Sequence, residues 1–112
     1  MKKTVLGELE ELVLLVVAAS TGEVYGVPVM EQLQMHAGRK FTIGAVHTTL
    51  YRLEEKGFLS SSVGGATADR GGRRKRFFAL TAAGAGVLAK IRAMRENLWQ
   101  AIPEEKLKLL GL

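Results

Sequence analysis

The sequence has no cysteine. This excludes a disulfide framework, a thiolate metal site and a cysteine nucleophile, and it suits a reducing cytosol. Histidine is scarce as well: His36 and His47 stand without a His-x-x-x-His spacing or a nearby carboxylate pair, so a metal site and acid–base catalysis are poor readings. The glycines around Gly64, Gly71 and Gly84 lack a phosphate-loop pattern, and no enzymatic activity is expected. Long apolar runs are missing too. Leu12 to Ala19 is far shorter than the ~20 residues that span a bilayer. Glu8, Glu10 and Glu11 precede it, where a signal peptide would carry Lys or Arg. Export and membrane insertion are therefore not expected, and the cytoplasm is the expected location.

Acidic charge is the minority. Eleven Asp and Glu face sixteen Lys and Arg, a net charge of +5 with a pI near 9.8, which suits an anionic partner. The placement of the charge says more than its sum. Arg70, Arg73, Arg74, Lys75 and Arg76 crowd into one short stretch, whereas the segment before Arg39 is acidic overall. At 112 residues, 47% hydrophobic and 24% charged, the chain has the make-up of one compact domain and not of a disordered basic tail.

Apolar periodicity lays out the elements. Leu6, Leu9, Leu12, Val13 and Val16, joined by Leu15 and Val17, predict a first helix over about Gly7 to Ser20, buried on most sides. Val29, Met30, Leu33 and Ala37 mark a second, with Pro28 in its first turn and Gly38 as its stop. Thr42 caps a third helix ending at Gly57, with Ile43, Val46, Leu50 and Leu53 along its apolar stripe. Phe58 to Val63 and Arg73 to Leu80 read as the strands of a hairpin around the Gly-rich loop Gly64 to Gly72. Thr81 caps a long helix over Ala82 to about Ile102. Its stripe Leu88, Ile91, Leu98, Ile102 follows a 3-4 repeat in which Arg95 fills the missing position, with Met94 and Trp99 alongside. Pro103 breaks it, and Glu104 to Leu112 is either a short amphipathic turn or a frayed end.

The outward face of the third helix carries Gly44, Ala45, Thr48, Tyr51, Arg52 and Glu55, with His47 on a flank. Small residues let a helix lie close to a groove floor, and Thr, Tyr and Arg can then reach phosphates or base edges. Taken alone, the same face could be plainly solvated. Phe77 and Phe78 fit either stacking platforms for single-stranded nucleic acid or anchors of the hairpin to the core, and the core is favoured.

Three helices followed by a basic hairpin make the winged helix-turn-helix plan: a mostly α fold with a small β hairpin, extended by a long C-terminal helix. Residues 1–81 would form the DNA-binding part, and residues 82–112 a dimerisation helix with a short tail. The alternative is a winged-helix module for a protein or structured RNA, and a protein-binding module has little use for five clustered cations.

The stretches LGELEELVLL, YGVPVMEQL, IGAVHTTLYRLEEKGFLSSS and TADRGGRRKRFFALTAAG closely resemble the PadR family of bacterial transcriptional regulators, in particular its short-tailed subgroup with a single C-terminal dimerisation helix. The resemblance implies a homodimeric repressor acting on a palindromic operator and open to release by a small aromatic effector. Carried over, it implies DNA contacts from Thr42, Gly44, Ala45, His47, Thr48 and Arg52, and wing contacts from Arg73, Arg74 and Lys75. Arg70 and Arg76 extend the basic run, and Tyr51 can take over part of the reach at His47, where the family usually has a longer Tyr. The dimer interface would draw on Leu6, Leu9, Leu88, Ile91, Leu98, Trp99 and Ile102. Trp99 reads either as an interface anchor or as the wall of a ligand pocket, with the anchor favoured.

Overall fold

Three acidic residues, Glu8, Glu10 and Glu11, fill the first turn of α1 (Glu8–Ala19), where carboxylates offset the helix dipole. Glu10 reaches back to accept from the Gly7 N–H at 2.8 Å, satisfying one of the donors that a helix start leaves open. The computed structural model describes residues 6–64 and 75–112. The chain continues through α2 (Gly26–Ala37), α3 (Ile43–Glu55), β1 (Leu59–Gly64), β2 (Lys75–Leu80) and α4 (Ala82–Gln100) to a final turn, α5 (Glu104–Leu107), followed by a 3-10 turn at Lys108–Leu110.

The punctuation read from the sequence sits where the helices need it. Gly38 ends α2 in the left-handed region at φ 67°. Thr42 and Thr81 each accept a hydrogen bond from the third residue onward, the Ala45 N–H at 3.1 Å and the Gly84 N–H at 3.0 Å. The tail takes the helical of its two open readings, a short turn in which Leu107 is half-buried and the rest is exposed.

The core is one contiguous cluster. Val13, Leu14 and Val17 of α1 meet Val29 and Leu33 of α2, Val46, Leu50 and Leu53 of α3, and Phe58, Leu59 and Phe78 of the hairpin region. Each such side chain contributes roughly 1.5–3 kcal/mol when fully buried. β1 and β2 pair antiparallel with Leu59 opposite Leu80 and Gly64 opposite Lys75. The loop between α1 and α2 joins them through a single bridge: Val24 and Phe78 exchange backbone hydrogen bonds of 3.0 and 2.7 Å. The hairpin is thus fastened to the helices from two sides.

Helix α4 leaves this core partway along its length. Gly84 and Val87 are buried, Leu88 and Ile91 pack partly on the core, and from Arg92 to Gln100 every residue is exposed. Arg95, which interrupts the apolar repeat, makes a bidentate contact with Glu11 of α1, Nη2 to Oε1 at 2.6 Å and Nε to Oε2 at 3.1 Å. The odd position in the repeat is therefore the strap that ties α4 to α1.

One expectation needs correction. Helix α1 is not buried on most sides in the single chain, because Leu15 is 46% exposed and Ala18 and Ala19 are also open. That side borders an apolar groove of about 820 Å³ between α1 and α2, lined by Leu12, Leu15, Val16, Ala19, Pro28 and Leu33 among others. Apolar periodicity reports that a face needs cover, not which chain supplies it.

Candidate nucleic-acid interface

Helix α3 turns its apolar stripe inward so completely that Val46, Leu50 and Leu53 have no solvent exposure. Its opposite face is left to solvent: Thr42, Gly44, His47, Thr48, Tyr51 and Arg52 are exposed, with Ala45 half-buried. The sequence-expected positions therefore share one face. Thr49, between them in sequence, turns inward instead, and its hydroxyl donates to the Ala45 carbonyl at 2.8 Å.

This face is polarised along its length. Its N-terminal half is small and uncharged and ends on the positive pole of the helix. The C-terminal half carries Glu54 and Glu55, which with Thr48, Tyr51 and Arg52 border a shallow depression. A polyanion is disfavoured beside the exposed Glu55 and accommodated at the other end, while the half-buried Glu54 faces the hairpin.

His47 does not project freely. A Cβ on Gly26, the buried first residue of α2, would run into the Nε2 and Cδ2 atoms of its ring. The imidazole is seated on the start of α2, and only a residue without a side chain leaves it room.

Beside α3 stands the wing root. Alternation along β2 sends Lys75 and Phe77 to one face of the hairpin, and Arg76 and Phe78 to the other. Phe77 meets the Tyr25 ring edge-on, with centroids 5.5 Å apart, and Phe78 meets Tyr51 in the same manner at 5.7 Å. Phe78 is 1% exposed and belongs to the core, as favoured from the sequence. Both cations lie against aromatic rings: the Lys75 ammonium 4.4 Å from the centre of Tyr25, and the Arg76 guanidinium 6.0 Å from that of Tyr51. Arg70, Arg73 and Arg74 lie outside the described residues.

Three participants escaped the sequence reading. Tyr25 holds the Lys75 face of the wing, Ser61 accepts from Arg76 Nη1 at 2.9 Å, and Glu54 accepts from the Ser61 hydroxyl at 2.6 Å. An aromatic just before a helix start was the available signal for Tyr25. Ser61 and Glu54 had no local signal, because their partners come from other elements.

The residues expected at a dimer interface fall into two sets. Leu6, Leu9, Leu88 and Ile91 pack against the chain's own core, whereas Leu98 and Trp99 are 63% and 54% exposed, with Ile102 in between. Among the described residues no helix is long and apolar enough to cross a membrane, and no three His, Asp or Glu side chains gather as a metal site requires.

Solved structures share this architecture. A PadR-like transcription factor from Bacteroides fragilis is 22% identical, with a TM-score of 0.70 over 82% of this chain and 84% of that one. A PadR family transcriptional regulator from Eggerthella lenta is 25% identical, with a TM-score of 0.67 over 92% and 86%. Bacillus subtilis PadR, solved in complex with operator DNA, is 18% identical, with a TM-score of 0.64; 87% of this chain aligns with 51% of that longer one. No curated protein matches the sequence. The family model for the transcriptional regulator PadR-like family matches residues 13–90, which run from the middle of α1 through α2, α3 and the hairpin to the start of α4. The chain belongs to the PadR-like family of transcriptional regulators, a family of regulators and not of enzymes.

Proposed function

We propose that this chain binds duplex DNA sequence-specifically as a homodimeric repressor in the cytoplasm, reading an imperfect palindrome with one α3 per half-site. The observation that carries this reading is the open, small-polar N-terminal half of α3 standing beside a wing root that begins Lys75–Arg76. An α3 of this shape fits the major groove, with Thr42, Gly44, Ala45, His47, Thr48, Tyr51 and Arg52 toward the DNA. Arg70, Arg73, Arg74 and Lys75 supply the cationic wing beside the adjacent backbone, and Arg76 stands at its root. Bacillus subtilis PadR, solved in complex with operator DNA, supports duplex DNA as the partner.

Dimerisation is the second part of the proposal, with residues 1–81 as the DNA-binding part and 82–112 as the dimerising part. Two recognition helices must stand about 34 Å apart to engage successive turns of one DNA face. The exposed Met94, Leu98 and Trp99 of α4 and the open groove between α1 and α2 are the apolar surfaces that a second copy would cover. Trp99 would sit in that interface, where a flat aromatic effector could bind one dimer geometry better than another.

Gel shift of the chain's own upstream region at two salt concentrations tests the reading, followed by a footprint to locate the site. A specific complex that weakens steeply with salt is expected. No specific, salt-sensitive complex on any such duplex would overturn it in favour of a module for protein or structured RNA.

A further inference from the structure

The joint between wing and recognition helix is crossed by one chain of polar contacts. Arg76 Nη1 donates to Ser61 Oγ at 2.9 Å, and the Ser61 hydroxyl donates onward to Glu54 Oε2 at 2.6 Å. One end is on β2, the middle on β1 and the far end on α3. Ser61 can serve both neighbours because a hydroxyl is donor and acceptor at once, and its single proton fixes the order. The guanidinium meanwhile stands over the Tyr51 ring, which packs in a T-shape with the buried Phe78.

Resting on the DNA-binding reading above, we propose that Arg76 is a positioning residue that sets the angle between wing and α3, while the phosphate grip belongs to the rest of the basic run. Arg76 is half-buried, and the hydroxyl bridge turns its charge toward the Glu54 carboxylate. A phosphate at Nη1 has to displace Ser61, and one at the remaining donors of the fork comes near that carboxylate. The planar fork of an arginine can lie on a ring and donate from its edge at the same time, which a lysine cannot. Opposite it, Lys75 on Tyr25 steadies the other face of β2, so the strand is registered on α2 and α3 together. The root of the wing and α3 are then held as one unit, and the spacing between their DNA contacts is set by Glu54 and Ser61 as much as by any residue that touches DNA.

The test compares the full-length chain with Arg76→Ala, Arg76→Lys, Ser61→Ala, Glu54→Gln and the double variant Arg76→Ala/Glu54→Gln. Each is titrated by fluorescence anisotropy against the footprinted upstream duplex and a scrambled duplex, across a salt series. Melting temperatures confirm that each variant is folded, and Ser61→Ala, the mildest change, carries the test should Arg76→Ala not fold. Each single variant, Arg76→Lys included, should lose about tenfold in affinity for the preferred duplex, keep its affinity for the scrambled one, and keep the wild-type salt slope. The double variant should be no weaker than the singles, as expected for residues acting through one network. The proposal is overturned if Arg76→Ala lowers the salt slope by about one and weakens both duplexes alike, with Arg76→Lys restoring them, since that is how a phosphate contact behaves. It is equally overturned if Glu54→Gln tightens both duplexes and its effect simply adds to that of Arg76→Ala. Failure of the underlying reading looks different: the wild-type chain itself would show no preference between the two duplexes.

Discussion

The imidazole of His47 on α3 rests on the bare Cα of Gly26 at the start of α2. A side chain on the outward face of α3 is thus oriented by the absence of one on its neighbour. Gly26→Ala should turn the exposed ring off its seat, at the low end of the cost of overpacking, about 1 kcal/mol in stability. Affinity for the preferred duplex should fall along with it. Removing the ring in Gly26→Ala/His47→Ala should recover most of the stability in thermal melts. If the double variant melts no higher than Gly26→Ala, the seat is not what Gly26 provides.

Wing and helix should be separable by what they change. Arg74→Ala should weaken all duplexes and lower the salt slope by about 0.9, whereas Thr48→Ala or Arg52→Ala should alter which half-site sequences are preferred. Selection from a randomised half-site reads the second effect and a salt series reads the first. A uniform loss in all three variants would sink the division of labour.

A pH effect should arise far from the DNA face. Lys56, just after α3, reaches both carboxylate oxygens of Glu10 on α1 at 2.9 Å. Burial alone would push the Glu10 carboxyl up, but the Lys56 and Gly7 hydrogen bonds and the charges of Lys56 and Arg52 outweigh it and hold the group below the ordinary 4.5. A carboxyl depressed in the folded state stabilises fully above its unfolded value, and that contribution is lost as pH falls through the lower folded one. Lys56 stays 39% exposed, so the effect is roughly 0.5 kcal/mol. Glu10→Gln should lower the melting temperature slightly at pH 7 and make no difference once the pH is below the folded value. An equal loss at pH 7 and pH 2.5 would contradict this origin.

Self-association should hinge on the free half of α4. Leu98→Asp places a charge on a side chain that is 63% exposed, so the monomer should fold unchanged. Sedimentation at micromolar concentration should then show a monomer where the wild type is a dimer, with loss of operator binding. Should the variant sediment as the wild type does, the copies meet elsewhere. The sole tryptophan, Trp99, lets the same surface be probed for effectors: a planar aromatic ligand seated there should quench its fluorescence saturably.

Much of this fold was legible because its signals are local. Stripes at helical spacing, Thr42 and Thr81 as caps and Gly38 as a stop each act within one or two turns, and their residues sit where that logic requires. The outward face of α3 was legible for the same reason, since fixing the inward stripe fixes its opposite. Less legible was what depends on distant partners. The Arg95–Glu11 strap explains a gap in the α4 repeat that periodicity alone left as an anomaly. The Tyr25–Lys75 and Tyr51–Arg76 pairs join residues whose meeting is decided by the packing of hairpin on helices. The exposure of Leu15 was hidden because hydrophobicity marks demand for cover without naming its source.

The Val24–Phe78 bridge also has a bearing on how copies of this chain avoid one another. A two-stranded sheet presents two open edges, and β2 carries the aromatic-aliphatic run Phe77–Phe78–Ala79–Leu80, the kind of segment that recruits like strands into aggregates. Val24 occupies the hydrogen-bonding edge at Phe78, within the apolar part of that run, while the outer end of the strand is guarded by the like charges of Lys75 and Arg76. On the β2 edge, strand-to-strand association is thus blocked by backbone at one end and opposed by charge at the other.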